Sequence, residues 1–160
     1  MSEQEDLEKA KSFAYFFLKF RMRTEKEVRL YLLKKNQKFH WSEKTVDLAI
    51  DALKKTGLID DRKFVKSFVN DRSSMKPKGK AVLQRELVRL GVEKTLIDDF
   101  FYTYSLDEAT LCKRLLSSRW RRWQNLPKEK KRQKAYQFLV RRGFDFDTVK
   151  KTIVNFEQRE

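Results

Sequence analysis

Cysteine and histidine occur once each in the 160 residues, as Cys112 and His40. One thiol cannot make an intrachain disulfide, and a structural zinc site takes about four such ligands. Glycine occurs four times and proline twice, whereas a sheet protein needs turn residues every ~8–12 positions. Helix is therefore the default. No apolar run approaches the ~18 residues of a membrane span. The opening Ser2-Glu3-Gln4-Glu5-Asp6 is acidic where a secretory signal is basic. A cytoplasmic, membrane-free protein is expected, with an acidic start that could fray. No glycine-rich nucleotide loop is present, so neither ATP hydrolysis nor any other cofactor is expected.

Positive charge is plentiful. Lys and Arg number 38 against 23 Asp and Glu, a formal net charge of +15, while 40% of the residues are hydrophobic and 13 are Phe. A chain this apolar folds, and its charge selects a polyanion as partner. The bias grows along the sequence: 13 basic and 11 acidic residues in 1–61, 10 and 5 in 62–106, 15 and 7 in 107–160. Between Lys113 and Arg142 there are 12 basic residues and one acidic, Glu129. A one-sign run of this length repels itself unless a polyanion neutralises it.

A pattern recurs three times. Val28, Leu32, Leu33 precede Asn36; Leu83, Leu87, Val88 precede Gly91; Ala135, Leu139, Val140 precede Gly143. The spacing predicts one apolar helix face that ends at a residue tolerant of left-handed backbone. A second apolar spacing follows each stop: Val46, Ile50, Leu53; Ile97, Phe101, Tyr104; Val149, Ile153, Phe156. Ser42, Glu93 and Asp145 stand where these helices would be capped. In the first copy the interval is longer, and Gln37 to Trp41 reads as an inserted loop. Phe13, Ala14, Phe17, Leu18, then Phe64, Val65, Phe68, then Leu111, Leu115 supply a leading helix to each copy. Thr24-Glu25-Lys26-Glu27 has capping-box spacing, and Pro127 suits a first helical turn.

The fold class predicted is all-α: three tandem three-helix repeats, 1–59, 60–106 and 107–160, stacked into an elongated, curved rod. Units of this size are marginal alone, so they need their neighbours.

Candidate binding residues follow from charge and position. Trp120-Arg121-Arg122-Trp123 alternates aromatic and guanidinium groups as single-strand binders do; the two Trp either stack bases or pack on Leu115 and Leu116, while Arg119, Arg121 and Arg122 project outward in both cases. Arg141 and Arg142 end a helix, where the dipole also favours cations. Lys76, Lys78 and Lys80 surround Pro77 and Gly79, and a basic loop meeting a helix start offers ammonium and backbone N–H groups to phosphate. Trp41 is either an exposed contact or a cover over the first bundle. The pairs Asp60-Asp61 and Asp98-Asp99 are what a metal-dependent nuclease would recruit, but the first serves as an acidic helix cap and the second diverges on a helix. No metal or catalytic residue is assigned.

Taken in order, Arg21-Met22-Arg23-Thr24-Glu25-Lys26-Glu27-Val28, Gly57-Leu58-Ile59-Asp60-Asp61 with Phe64, Arg72, Lys78-Gly79, Leu87, Gly91 and Arg141-Arg142-Gly143-Phe144 resemble the bacterial RecX regulatory proteins, modulators of the RecA recombinase. The resemblance covers nearly the whole chain and departs from the family at Asn36, usually Gly, and at Gln37 to Trp41. It implies a curved three-repeat fold and a non-enzymatic monomer acting in recombination, DNA repair and the SOS response. It also implies binding along a RecA filament on single-stranded DNA, with duplex DNA as a further partner to test, and modulation of ATPase and strand exchange. Arg72 joins the binding candidates on this ground. The alternative reading is an autonomous helix-turn-helix-like module for duplex DNA or RNA.

Overall fold

The computed structural model describes residues 2–160. Among the described residues there are nine α-helices, one 3-10 turn and no strand: α1 (Glu3–Leu18), α2 (Glu25–Phe39), α3 (Glu43–Lys55), α4 (Asp61–Ser74), α5 (Lys80–Arg89), α6 (Lys94–Thr103), α7 (Glu108–Trp120), the turn Arg121–Trp123, α8 (Lys128–Arg141) and α9 (Phe146–Gln158). The three triplets follow the three sequence repeats. By their contacts the residues form two compact units, 1–67 with 87–100, and 68–86 with 101–160, so each helix of the middle triplet contributes to both.

Local chemistry explains the helix starts. Thr24 Oγ1 accepts from Glu27 N–H at 3.1 Å and the Glu27 carboxylate accepts from Thr24 N–H at 2.9 Å, a reciprocal box that satisfies two otherwise orphaned donors. Ser42, Asp107 and Asp145 accept from Thr45, Thr110 and Thr148 N–H. The acidic start is helical from Glu3: Ser2 and Glu5 form a second capping box and Glu3, Glu5 and Asp6 occupy the positive end of α1. Gly91 and Gly143 have φ of 93° and 89°, and behind each the chain closes with paired bonds, Val92 N–H to Leu87 C=O and Phe144 N–H to Leu139 C=O.

Two expectations require correction. Asn36 does not end α2; the helix continues to Phe39, and His40 takes the left-handed cap (φ 55°) with its N–H on Asn36 C=O at 2.8 Å. Gln37 to Trp41 is thus an added helical turn with its cap, not a loop. Phe39 stacks on Trp41 at 5.2 Å, Phe13 packs on both, and Asn36 Nδ2 donates to Trp41 C=O at 3.0 Å. These contacts bury Trp41 as a cover over the first bundle. The third apolar residue of the repeated pattern is not core either: Leu33, Val88 and Val140 are 41%, 54% and 42% exposed. Adjacent helical positions lie about 100° apart, and here the inward face of each second helix passes through Leu32, Leu87 and Leu139, leaving the next residue at its edge.

In the first unit, α1 lies along α3. Ala10 and Ala14 permit that approach, and with Val28, Leu32, Val46, Ala49, Ile50, Leu53 and Ile59 they form the core. Thr24 does more than cap α2: its hydroxyl donates to Leu90 C=O at 2.6 Å, and Glu25 N–H donates to Asp61 Oδ1 at 2.9 Å. The start of α2 is therefore pinned to the α5–α6 turn and to the first residue of α4.

In the second unit, α7, α8 and α9 enclose Leu111, Cys112, Leu116, Ala135, Leu139, Phe144, Val149 and Ile153. The joint of the first unit recurs here at equivalent positions. Gly79 N–H donates to Arg142 C=O at 2.8 Å, and Lys80 N–H donates to Glu108 Oε1 at 2.9 Å. Glu108 Oε2 also accepts from Asp145 N–H at 2.9 Å. An acidic residue opening the leading helix of one repeat thus caps the second helix of the repeat before it, twice along the chain.

Candidate nucleic-acid interface

The second joint brings together two basic stretches far apart in sequence. Gly79 sits against the α8–α9 turn so closely that a Cβ there would overlap Gly143 C=O and Phe144 N. Because Gly79 lacks that atom, the connector carrying Lys76, Lys78 and Lys80 lies on the turn carrying Arg141 and Arg142.

Beside this turn a cleft of about 420 Å³ is lined by Arg119, Trp123, Lys134, Gln137, Phe138, Arg141 and Arg142. Phe138 organises it. The Arg119 guanidinium lies 4.8 Å from its ring centroid and that of Arg142 5.3 Å, while Trp123 meets it edge-on at 6.3 Å. Rings hold guanidinium groups without neutralising them. No carboxylate lines the cleft, and among the described residues Arg119, Arg121, Arg122, Lys134, Arg141 and Arg142 have no ion-pair partner. Arg141 and Arg142 also close the negative end of α8.

The other sequence candidates are placed differently. Trp120 is buried, donates Nε1–H to Glu160 Oε1 at 2.7 Å, and has Lys131 Nζ 4.2 Å from its ring centroid and Phe156 at 5.5 Å. Its indole is a core group with no open face, and α7 gives way to a 3-10 turn after it, so only Trp123 is partly exposed. Arg121 and Arg122 on that turn are exposed. Arg72 and Lys78 both face Glu86, Arg72 at 3.9 Å, and Arg72 also lies 4.9 Å from the Phe68 ring centroid. Lys80 Nζ lies 5.5 Å from the Phe101 ring centroid. Lys76 is exposed.

Sequence reasoning missed Lys134, Gln137 and Phe138. Their signal was the spacing of Lys134, Phe138 and Arg141, three positions along one face of α8, masked by the apolar pattern of Ala135 and Leu139 on the neighbouring face.

The acidic pairs are occupied with structure. Asp60 Oδ1 accepts from Lys63 N–H at 3.2 Å, Asp61 caps α2, and Asp99 lies 3.8 Å from Arg62. Burial raises the Asp61 carboxyl above its ordinary range, opposed by the Glu25 N–H bond. Among the described residues no three His, Cys, Asp or Glu converge as metal ligands would, and no helix is long and apolar enough to cross a membrane. Burial, assisted by the Glu108 charge, pushes the Cys112 thiol up to about 12.

Fold and site together define an all-helical protein of tandem three-helix repeats with a cation-lined aromatic cleft. Family models described as the second and third three-helix domains of RecX match residues 60–99 and 107–153. The regulatory protein RecX of Chlorobium phaeobacteroides (strain BS1) is 35% identical over 141 residues, 86% of this chain and 90% of that one, and the chain belongs to the RecX family of regulatory proteins. The Streptococcus thermophilus (strain ATCC BAA-491 / LMD-9) relative is 32% identical over 92% of this chain, which spans only 55% of that relative's length. A crystal structure of regulatory protein RecX aligns with a TM-score of 0.77 at 27% identity, covering 92% of this chain and 72% of the other. That of RecX from Lactobacillus salivarius reaches 0.82 at 22% identity over 97% and 99%, a likeness of fold.

Proposed function

We propose that the protein is a non-enzymatic cytoplasmic regulator, monomeric, that binds the RecA recombinase filament and single-stranded DNA and lowers the filament's ATPase and strand exchange. The observation that carries this reading is the cleft around Phe138, with four cations in its lining and no carboxylate. Cations without internal partners lose little on meeting phosphate, and the counterions displaced from the strand drive association. Arg119, Lys134, Arg141 and Arg142 take the backbone, Trp123 offers the aromatic surface, and Arg121, Arg122 and Lys76 extend the track. Lys78 and Arg72, held by Glu86, and Lys80, capped and leaning on Phe101, chiefly support the connector. Family membership supports the regulatory role.

The test uses Lys134→Glu with Arg141→Glu, both exposed in the folded chain, and Arg121→Glu with Arg122→Glu. Fluorescence anisotropy against single-stranded and unrelated duplex DNA is read at several salt concentrations, alongside the DNA-dependent ATPase of RecA at substoichiometric protein. Each lost phosphate contact lowers the log–log salt slope by ~0.7 on single strands, so each double reversal lowers it by roughly 1.4 and relieves inhibition. An unchanged slope would make the basic cleft an ordinary solvated surface. A strong preference for one duplex sequence would overturn this reading in favour of a duplex-reading module.

A further inference from the structure

The first unit has a surface that the nucleic-acid reading does not use. Near the end of α1, Phe16 and Phe20 are 58% and 67% exposed and pack edge to face on each other at 5.2 Å. Beside them a groove of about 450 Å³ runs between α1 and α2, lined by Lys9, Ser12, Phe13, Phe16, Tyr31 and Lys35. Neighbouring exposed aromatics on a soluble chain mark a contact surface more often than a solvated one.

The rim defines the chemistry of the occupant. Lys9 Nζ lies 4.2 Å from the Phe39 ring centroid, and Lys35 Nζ lies 5.2 Å and 5.4 Å from those of Phe13 and Tyr31. Both ammonium groups are thus held by rings. Neither has an ion-pair partner among the described residues, and no carboxylate lines the groove. An apolar floor between two uncompensated cations complements an apolar side chain flanked by carboxylates. A nucleic-acid strand fits less well, because residues 1–61 carry 13 basic side chains against 11 acidic ones and offer little counterion release.

We infer that the α1–α2 groove docks an acidic segment bearing a large apolar side chain on the protein surface of the recombinase filament. This rests on the reading above and deepens it: the second unit holds the strand while the first holds the protein that coats it. Division of the two tasks makes them separable by mutation.

The experiment compares wild type with Phe16→Glu/Phe20→Glu and with Lys9→Glu/Lys35→Glu, each checked for unchanged helicity. It measures the protein concentration that half-inhibits RecA filament ATPase, and affinity for naked single-stranded DNA. Aromatic anchors carry a large share of interface energy, so half-inhibition should require about tenfold more of either variant. DNA affinity should stay within about twofold for the Phe pair. A photo-crosslinker placed at Phe20 should join the recombinase. The inference is overturned if both variants inhibit as wild type does, if naked-DNA affinity falls in step with inhibition for the Phe pair, or if the crosslink joins two copies of this chain. If wild type itself leaves the ATPase unchanged, the functional reading fails and the inference with it, a result distinct from failure of the groove alone.

Discussion

Gly79→Ala adds one methyl group where the backbone of the connector meets the backbone of the α8–α9 turn. The added Cβ would stand nearer than 3.0 Å to Gly143 O, Gly143 C and Phe144 N, all main-chain atoms that cannot swing aside. The two segments must separate, which breaks the buried 2.8 Å bond from Gly79 N–H to Arg142 C=O. Overpacking of this kind costs about 1–3 kcal/mol, and stranding a buried donor and acceptor costs about 1–3 more. Gly79 is outside the left-handed region, so alanine returns about 0.4–1 kcal/mol by restricting the unfolded chain. The net expectation is a loss of roughly 1–5 kcal/mol, centred near 3 kcal/mol, or about 6–12 °C in Tm at that centre for a chain of this size. Gly57→Ala is the control: nothing lies within 4 Å of its Cβ position, and only its φ of 78° opposes the change, at about 1 kcal/mol. Urea denaturation followed by Trp fluorescence, with the slope m checked for constancy, reads both variants. The reasoning is refuted if Gly79→Ala is as stable as wild type, or less damaging than Gly57→Ala.

Thr24→Val removes both the α2 cap and the hydroxyl donor to Leu90 C=O, and should cost about 2–3 kcal/mol by thermal melting; Thr24→Ser should retain most of that stability, and equal melting of the two variants would contradict the joint. Cys112, buried and with its thiol pushed up to about 12, should resist thiol reagents at pH 8 until the chain unfolds, so prompt labelling of native protein would be inconsistent with its packing. Hydrogen bonds from Arg132 hold the Glu157 carboxyl below its ordinary range, and a bond from Lys131 does the same for Glu160. Their contribution is therefore present above the unfolded carboxylate value and lost as pH falls through the lower folded value. Tm measured from pH 6 to pH 3 should fall less steeply in Glu157→Gln/Glu160→Gln than in wild type, with Asp61, shifted upward, acting in the opposite sense in both; parallel curves would refute the assignment.

The sequence alone determined what depends on near neighbours. Capping boxes, helix-ending glycines and apolar spacing act within one or two turns, so Thr24, Gly91, Gly143, Ser42 and Asp145 announced the helices they bound. The same reach set the excess of charge toward the C-terminus. The end of α2 lay beyond it: Asn36 has the side chain of a helix stop, yet Phe39 and Trp41 gain more by covering Phe13, and that gain exists only once α1 is in place. Partner choice was decided at the same tertiary level. Nothing in Lys78 or Arg72 distinguishes them from Lys134 or Arg141 until folding sets Glu86 before the first two and leaves the others without a carboxylate. Trp120 and Trp123 were equivalent in sequence, and the change from α-helix to 3-10 turn between them put one in the core and the other at the cleft. The cleft itself is lined from α7, the turn after it and the α8–α9 region, and it lies beside a joint that only a residue without a Cβ can make; which surfaces meet is fixed by packing across the whole unit, not by any window of the chain.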